Sequence, residues 1–354
     1  MAVAPNMTDS GDALPFTPHA LTLFNLQNQT IATPVSAVLL WHVSCWLVIR
    51  AEHEHAEKSS IIPPQRQVTH MFKVISNEIL AENLHKMVVS APRIARARKA
   101  GQFAMVRLAE GEERIPLTIS DADPAAGTIT LFIQAIGAST RKIVETEAGG
   151  SIRDVAGPLG KGTRIINWGR VVCVGGGVGT AVLFPLVKAL KEAGNQITTI
   201  IGGRSSRYII LSDELTPLSD TFLVTTEDGS LGTKGFVTGP LGEMLADPER
   251  VPQAVFAVGP VPMMKAVAEM TRKQGIETIV SLNPIMIDGT GMCGGCRVQV
   301  GSETKFACVD GPEFDAHLVD FDVLSDRLTS YRTEEAVTLD HTAAECKIGR
   351  GVAR

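Results

Sequence analysis

The sequence predicts a two-domain α+β protein: a small antiparallel β-barrel, an α/β domain built on a parallel sheet, and a short C-terminal module that carries cysteines. Three observations carry that expectation. Short strand-like runs broken by turn residues fill 71–165, apolar strands alternate with helical stretches over 166–280, and three of the six cysteines crowd into 281–330. Residues 331–354 read as a polar tail.

In the first region, Met71 opens the run MFKVISNEIL, and strands follow at Phe103–Leu108, Ile115–Ile119 and Thr128–Ile133. Asp123-Pro124 and Ala126-Gly127 separate the last two. Closely spaced short strands of this kind make a small antiparallel barrel. The texture changes at Arg170. Val171–Val174 is a buried-strand run, Gly175–Thr180 is a glycine turn, Ala181–Ala193 is helical and Ile197–Ile201 is the next strand. That is one βαβ unit. Strands at Thr221–Thr225 and Val255–Val258, and a helix around Met263–Gln274, extend it into a parallel sheet with helices on both faces.

Composition removes several function classes. The chain has 354 residues, 44% hydrophobic and 20% charged, with a net charge of −5 and both signs interspersed. No basic footprint for nucleic acid is present. Cysteines 45, 173, 293, 296, 308 and 346 do not form a disulfide framework. Their clustering points to a metal or cluster site in a reducing compartment, hence to a cytoplasmic protein.

Residues 1–70 form an atypical extension. Residues 1–34 are polar and without period, which predicts disorder. Val35–Ile49 is a 15-residue apolar run, shorter than the about 20 residues that span a bilayer, and no basic segment precedes it as in a signal peptide. Three readings stand: a mis-called start with Met71 as the native first residue, an anchor or targeting piece, or an ordinary extension.

The cysteine segment carries the most chemistry. Asp288-Gly-Thr-Gly-Met-Cys293-Gly-Gly-Cys296 is followed, after eleven intervening residues, by Cys308. A C-x2-C turn with two glycines lets two thiolates converge while backbone amides face sulfur, and the VQV-Gly301-TKFAC hairpin returns the third. A [2Fe–2S] cluster takes four ligands. Counting back from Cys293 with the x4 spacing of plant-type sites reaches Asp288, a carboxylate able to bind iron. A zinc site with His317 is the competing reading. Asp288 has a bland alternative too, capping the turn before Gly289.

Gly175-Gly176-Gly177-Val178-Gly179-Thr180 lies between a buried strand and a helix, where backbone amides favour a pyrophosphate. Close strand–helix packing is the other use of such a turn. No acid ends the second strand, where a ribose-binding carboxylate is expected; Arg204 and Arg207 stand there, suggesting a 2′-phosphate or mere solvation. In the barrel, Pro116-Leu117-Thr118 and Gly137-Ala138-Ser139-Thr140 offer backbone donors and hydroxyls to an isoalloxazine edge and a pyrophosphate, or simply begin a strand and a turn.

With ERIPLTI, GGGVGT, GPVPMM, DGTGMCGGC and FACVDGPEFDAHLVDFD in this order, residues 71–330 resemble the ferredoxin–NADP reductase superfamily, in the branch that adds a C-terminal [2Fe–2S] module. That branch holds the electron-transfer subunits of dihydroorotate dehydrogenase and the small subunits of NADH-dependent reduced ferredoxin:NADP+ oxidoreductase. The former place a cysteine where Asp288 stands, so the resemblance is stronger to the latter. It implies FAD across Pro116, Leu117, Thr118, Phe132, Ile133, Gln134, Ser139 and Thr140. It implies NAD(H) against Gly175–Thr180, Asp228-Gly229-Ser230, Gly259, Pro260, Met263 and Met264, whereas Arg204 and Arg207 hint at NADP(H). The [2Fe–2S] cluster would sit on Asp288, Cys293, Cys296 and Cys308. The superfamily's flavin-binding arginine sits three residues before the serine or threonine, yet Ile115 holds that place and Arg114 is one earlier.

The implied function is ferredoxin:NADP+ oxidoreductase of the electron-bifurcating type, working through hydride exchange between nicotinamide and flavin and single electrons through the cluster, with no catalytic side chain. The implied partner is a larger FAD- and cluster-bearing, glutamate-synthase-like subunit in a heterodimer, with ferredoxin reached through the complex; no nucleic acid or membrane is expected. The alternatives are an electron-transfer subunit of dihydroorotate dehydrogenase and a non-catalytic iron–sulfur carrier. On this reading residues 1–70 are dispensable. A chain beginning at Met71 will match the full chain in soluble yield, flavin content and iron content, and loss of any of the three on truncation refutes this.

Overall fold

The computed structural model describes residues 71–338. The expectations for 1–70, for most of the tail and for Cys45 and Cys346 lie outside the described residues.

The barrel contains β1 (Phe72–Ala81), β2 (Leu84–Ser90), α1 (Pro92–Ala97), β3 (Phe103–Arg107), β4 (Ile115–Asp123), β5 (Thr128–Gln134), α2 (Ala138–Val144), β6 (Ser151–Ile152) and β7 (Asp154–Leu159). Its sheet runs β6-β1-β2-β5-β4-β3-β7. The two outer strands are separated in sequence by Arg153 alone, so the sheet curls until its edges meet and forms a nearly closed barrel. Alternation along β5 shows how one strand serves two cores. Ile129, Leu131 and Ile133 point inward with Val74, Met87 and Ile119, whereas Phe132 points outward and packs in the core formed by Leu183, Leu186 and Leu190.

The second sheet is formed by β8 (Arg170–Gly176), β9 (Gln196–Gly203), β10 (Thr221–Thr226), β11 (Thr233–Lys234), β12 (Ala254–Val258), β13 (Glu277–Ser281) and β16 (Glu313–Asp315). Strand order is β11-β10-β9-β8-β12-β13-β16. Helix α3 (Gly179–Glu192) follows β8 and lies against the barrel, with Lys188 Nζ 3.2 Å from Asp121 of β4. After it come α4 (Ser212–Leu215), α5 (Thr238–Ala246) and α6 (Val261–Arg272). The sheet departs from the all-parallel expectation at one edge: β16 pairs antiparallel with β13. The chain between them is the cysteine module, with the hairpin β14 (Arg297–Val300) and β15 (Glu303–Phe306), and α7 (Ala307–Asp310). That excursion returns without a crossover over the sheet face, so the returning strand runs the other way. Helix α8 (Phe321–Leu328) closes the module, capped by the Asp320 carboxylate, which accepts the Asp322 and Val323 amides.

One apolar core ties the three parts together. It holds Phe103 and Met105 from the barrel, Val172, Val174 and Ile200 from the sheet, and Cys296, Val298, Cys308 and Phe314 from the module. Among the described residues no helix is long and apolar enough to cross a membrane.

Where the three parts meet, the Glu313 carboxylate accepts a hydrogen bond from Thr163 Oγ1 at 2.7 Å. Burial pushes its carboxyl up to about 7, against which the Thr163 hydroxyl pulls only weakly. The folded chain therefore keeps this proton over a pH range in which the unfolded chain has lost it, and folding weakens as pH rises from about 4.5 toward 7. Glu313→Gln removes that loss. Urea unfolding will show the two chains closest near pH 4 and the glutamine variant more stable by about 1–3 kcal/mol at pH 8. An equal difference at both pH values excludes the carboxyl as its source.

Candidate functional site

A cleft of ≈ 940 Å³ runs between the barrel and the C-terminal ends of the parallel strands. Phe103, Pro116, Thr118, Gln134 and Ile136 line the barrel wall. Across from them stand the turn Gly176–Gly179 and, from the end of β12, Gly259, Pro260 and Met263. Ser281, the last residue of β13, and Leu282, Asn283 and Met286, which follow it toward the cysteines, close the third side.

The glycines make this geometry possible. A Cβ on Gly179 would lie 2.5 Å from the Val258 carbonyl oxygen, one on Gly176 2.6 Å from Met263 Sδ, and one on Gly259 2.8 Å from Met263 Cε. The turns leaving β8 and β12 thus touch each other, and α3 starts against the end of β12. Gly177 has φ 55 and open space beside it. Its amide donates to the Gly202 carbonyl at 2.8 Å, and the Thr180 and Ala181 amides donate to the Gly177 and Val178 carbonyls, so an anion here would meet the Val178 and Gly179 amides at the start of α3. The position that faces close packing is Gly179 rather than Thr180, which sits buried beneath the turn. The strands leave β8 in opposite directions, to β9 on one side and β12 on the other, and ligands bind at such a switch point.

Of the residues singled out from sequence, Pro116, Thr118, Gln134, Gly176, Gly177, Val178, Gly179, Gly259, Pro260 and Met263 line the cleft. The others stand elsewhere. Ile133 fills the barrel core and Leu117 packs against it, Phe132 packs on α3, and Met264 is fully buried in the core shared with the module. Gly175 lies under the turn, where a Cβ would meet Thr180 Oγ1 at 2.9 Å. Ser139 Oγ donates to Glu113 at 2.5 Å, and Thr140 Oγ1 accepts the Gly137 amide at 3.0 Å to cap α2. Asp228 accepts both the amide and the hydroxyl of Ser230, which hold its carboxyl below the usual range. Ser230 Oγ in turn accepts the Ser206 amide at 2.8 Å. The Asp228-Gly229-Ser230 turn is therefore a clip between two loops.

Sequence reading missed Phe103, Ile136, Glu227, Phe236, Asn283 and Met286, all on the cleft wall. A usable signal existed for two of them. In a parallel sheet the residues just past each strand's C-terminus form the crevice, which points to Glu227 after β10 and Asn283 after β13.

The module brings Cys296 and Cys308 together, both buried, with their sulfurs 3.2 Å apart. Burial, reinforced by Cys296, pushes the Cys308 thiol up to about 12. Cys293 is exposed on the same loop, its sulfur accepting the Gly295 amide at 3.4 Å. Asp288 accepts the Thr290 amide at 2.6 Å and the Cys293 amide at 2.8 Å, and these bonds hold its carboxyl low. That is the turn-capping geometry. Among the described residues no group of three or more His, Cys, Asp or Glu side chains converges closely enough to hold a metal ion. The donor chemistry nevertheless suits iron and sulfide: two buried thiols at contact distance, a third thiol on the same glycine loop, and amides directed at sulfur. His317 stands apart from this set, with Nε2 3.0 Å from Thr271 Oγ1 on α6.

The module loop also presses on the barrel, since a Cβ on Gly289 would fall 2.5 Å from Met105 Cγ. At Gly179 the obstacle is the backbone carbonyl of Val258, which no rotamer change relieves. Gly179→Ala will destabilise the chain by about 1–3 kcal/mol in urea unfolding; a neutral result contradicts the close contact between α3 and β12.

Comparison with known proteins agrees with this geometry. Residues 283–320 match the family of the iron–sulfur cluster binding domain of dihydroorotate dehydrogenase B. A Thermotoga maritima protein described as a dihydroorotate dehydrogenase B (NAD(+)) electron transfer subunit homolog is 44% identical over 272 residues, 77% of this chain and 95% of that protein. The corresponding subunit of Fusobacterium nucleatum is 30% identical over 257 residues, 70% of this chain and 97% of its own length. Among solved structures, a chain of an NADH-dependent reduced ferredoxin-NADP oxidoreductase, studied for flavin-based electron bifurcation, superposes with a TM-score of 0.73 at 43% identity, covering 78% of this chain and 99% of the other. The chain belongs to the family of dihydroorotate dehydrogenase B electron-transfer subunits and their homologues.

Proposed function

We propose that this chain is the electron-transfer flavoprotein subunit of a ferredoxin–NAD(P)+ oxidoreductase of the bifurcating type. It would pass electrons between a nicotinamide nucleotide and a [2Fe–2S] centre that serves a larger, glutamate-synthase-like partner. The observation that carries this is continuity: Met286 lines the cleft and lies in the same apolar core as Cys296 and Cys308. One packed wall thus separates the place for a flavin and nucleotide from the place for a cluster. The 43% identity to the oxidoreductase chain supports the choice of complex.

A bound FAD supplies the exchange between two-electron hydride chemistry and one-electron transfer. The protein's part is positional. Pro116, Thr118 and Gln134 offer a strand edge to the flavin, and the glycine turns Gly176–Gly179 and Gly259-Pro260 admit a dinucleotide backbone close to the sheet. The apolar side chains Phe103, Leu282, Met286 and Met263 line the cleft and would exclude water from a bound flavin and nucleotide. No acid or base is required, and the barrel end of the cleft presents none. Cys293, Cys296 and Cys308 would hold the cluster, with Asp288 as the fourth ligand once its carboxylate turns from the backbone amides.

A second reading, electron transfer to a dihydroorotate dehydrogenase, is favoured by the matched iron–sulfur domain and by the Thermotoga maritima relative. The two separate on the partner that copurifies with the full chain and on whether dihydroorotate or ferredoxin exchanges electrons with the complex.

The loaded protein will show flavin absorption beside cluster bands, and anaerobic NADH will bleach the flavin. Spectra with cluster bands but no flavin would reduce the chain to an iron–sulfur carrier. For Asp288, the Asp288→Cys variant will keep its iron with altered EPR g-values, because carboxylate and thiolate donate differently, and Asp288→Ala will lose iron. Wild-type spectra and iron content in both variants exclude Asp288 as a ligand.

A further inference from the structure

The cleft is nearly free of formal charge. Of the side chains lining it, the only acid is Glu227 and the only basic one is Arg204, and both stand where β9 and β10 end. Strand register sets them side by side. Thr226 of β10 pairs with Gly203 of β9. The Glu227 amide donates to the Gly203 carbonyl at 3.1 Å, and the Asp228 amide to the Arg204 carbonyl at 3.2 Å. The Ser206–Ser230 clip fixes the two loops beyond. Asp228 commits its carboxylate to Ser230. Glu227 is exposed beside it on the cleft wall, and among the described residues no ion pair engages either Glu227 or Arg204.

We propose that Glu227 makes this cleft select a nicotinamide nucleotide whose adenosine ribose carries a free 2′-hydroxyl over one carrying a 2′-phosphate. The proposal rests on reading the cleft as the nicotinamide nucleotide site. A carboxylate accepts hydrogen bonds from both hydroxyls of a vicinal diol. A 2′-phosphate brings about −1.5 to −2 of charge and only acceptor oxygens, so beside Glu227 it meets repulsion and leaves the carboxylate unpaired. Arg204 offsets part of this. Attraction to a single guanidinium, opposed by repulsion from a single carboxylate, leaves a phosphate little better held than in water, whereas the diol binds without a penalty. The carboxylate comes from the third strand in chain order. Neighbouring strands lie about 4.8 Å apart, so a residue just past β10 reaches the same ribose that a residue at the end of β9 would reach. Gly203, at that end, has no side chain to offer.

The test uses the full loaded chain and two redox-inert probes, ADP-ribose and 2′-phospho-ADP-ribose, titrated by calorimetry, with NADH and NADPH bleaching of the flavin as a second readout. The wild-type chain will bind ADP-ribose at least tenfold tighter than its 2′-phosphate. Glu227→Ser will shrink that ratio by tenfold or more, chiefly by tightening the phosphorylated probe, and Glu227→Asp will restore part of it. An unchanged ratio in Glu227→Ser, or a wild-type preference for the phosphorylated probe, overturns the selector role while leaving the nucleotide site in place. If the wild-type chain binds neither probe, the nucleotide reading of the cleft falls and the selector falls with it.

Discussion

The molecule depends on one shared apolar core, in which barrel strand β3, the parallel sheet and the cysteine module bury side chains against one another. Phe103 and Met105 come from the barrel, Val172 and Val174 from the sheet's centre, and Cys296 and Cys308 from the module. Because burial of apolar surface is non-directional and cooperative with close packing, no part can shift without opening a void in the others. The three walls of the cleft are the solvent-facing rim of this core.

The same packing explains the module's form. A loop holding three cysteines and several glycines buries little surface by itself, and on its own would gain too little to order. Here it is bracketed: Gly289 rests on Met105, the chain after the hairpin returns as β16, an antiparallel edge strand on β13, and His317 anchors to Thr271. The buried Cys296–Cys308 pair is thereby held with its sulfurs in contact, and Cys293 stays on the solvent side. This gives the cysteine loop an inner face continuous with the cleft and an outer face, at Cys293, open to solvent.

Charge is distributed just as sparingly. The cleft wall is built from glycine, apolar and neutral polar side chains, and its formal charges are confined to the ends of β9 and β10. A redox reaction that moves hydride and electrons gains from a dry, neutral surround, where added acids and bases would only raise the cost of desolvation. Nucleotide recognition, on the reading proposed above, is the part that benefits from charge, and the two charged side chains of the cleft, Arg204 and Glu227, stand at the ends of β9 and β10.

Much of this was legible in the sequence, because local patterns govern it. Turn-separated strands gave the barrel, the strand–glycine–helix run gave β8 and α3, and cysteine spacing marked the module. Strand period also identifies Ile129, Leu131 and Ile133 as one face. What the chain alone did not reveal depends on contacts between residues far apart in sequence. Phe132 belongs to the core on α3 rather than the ligand surface, because the barrel's outer face at that point is covered by another domain. Gly179 rather than the next residue is the close-packing position, because β12 lies 2.5 Å from where its Cβ would be. Asp228 and Ser230 are consumed in a loop clip while Glu227 faces the cleft, because the register of β9 against β10 decides which side chain points where. The sequence by itself determined which elements form and what donor chemistry they carry; only the tertiary structure decided which donors meet a common space, since that depends on which strands become neighbours and on what covers each face.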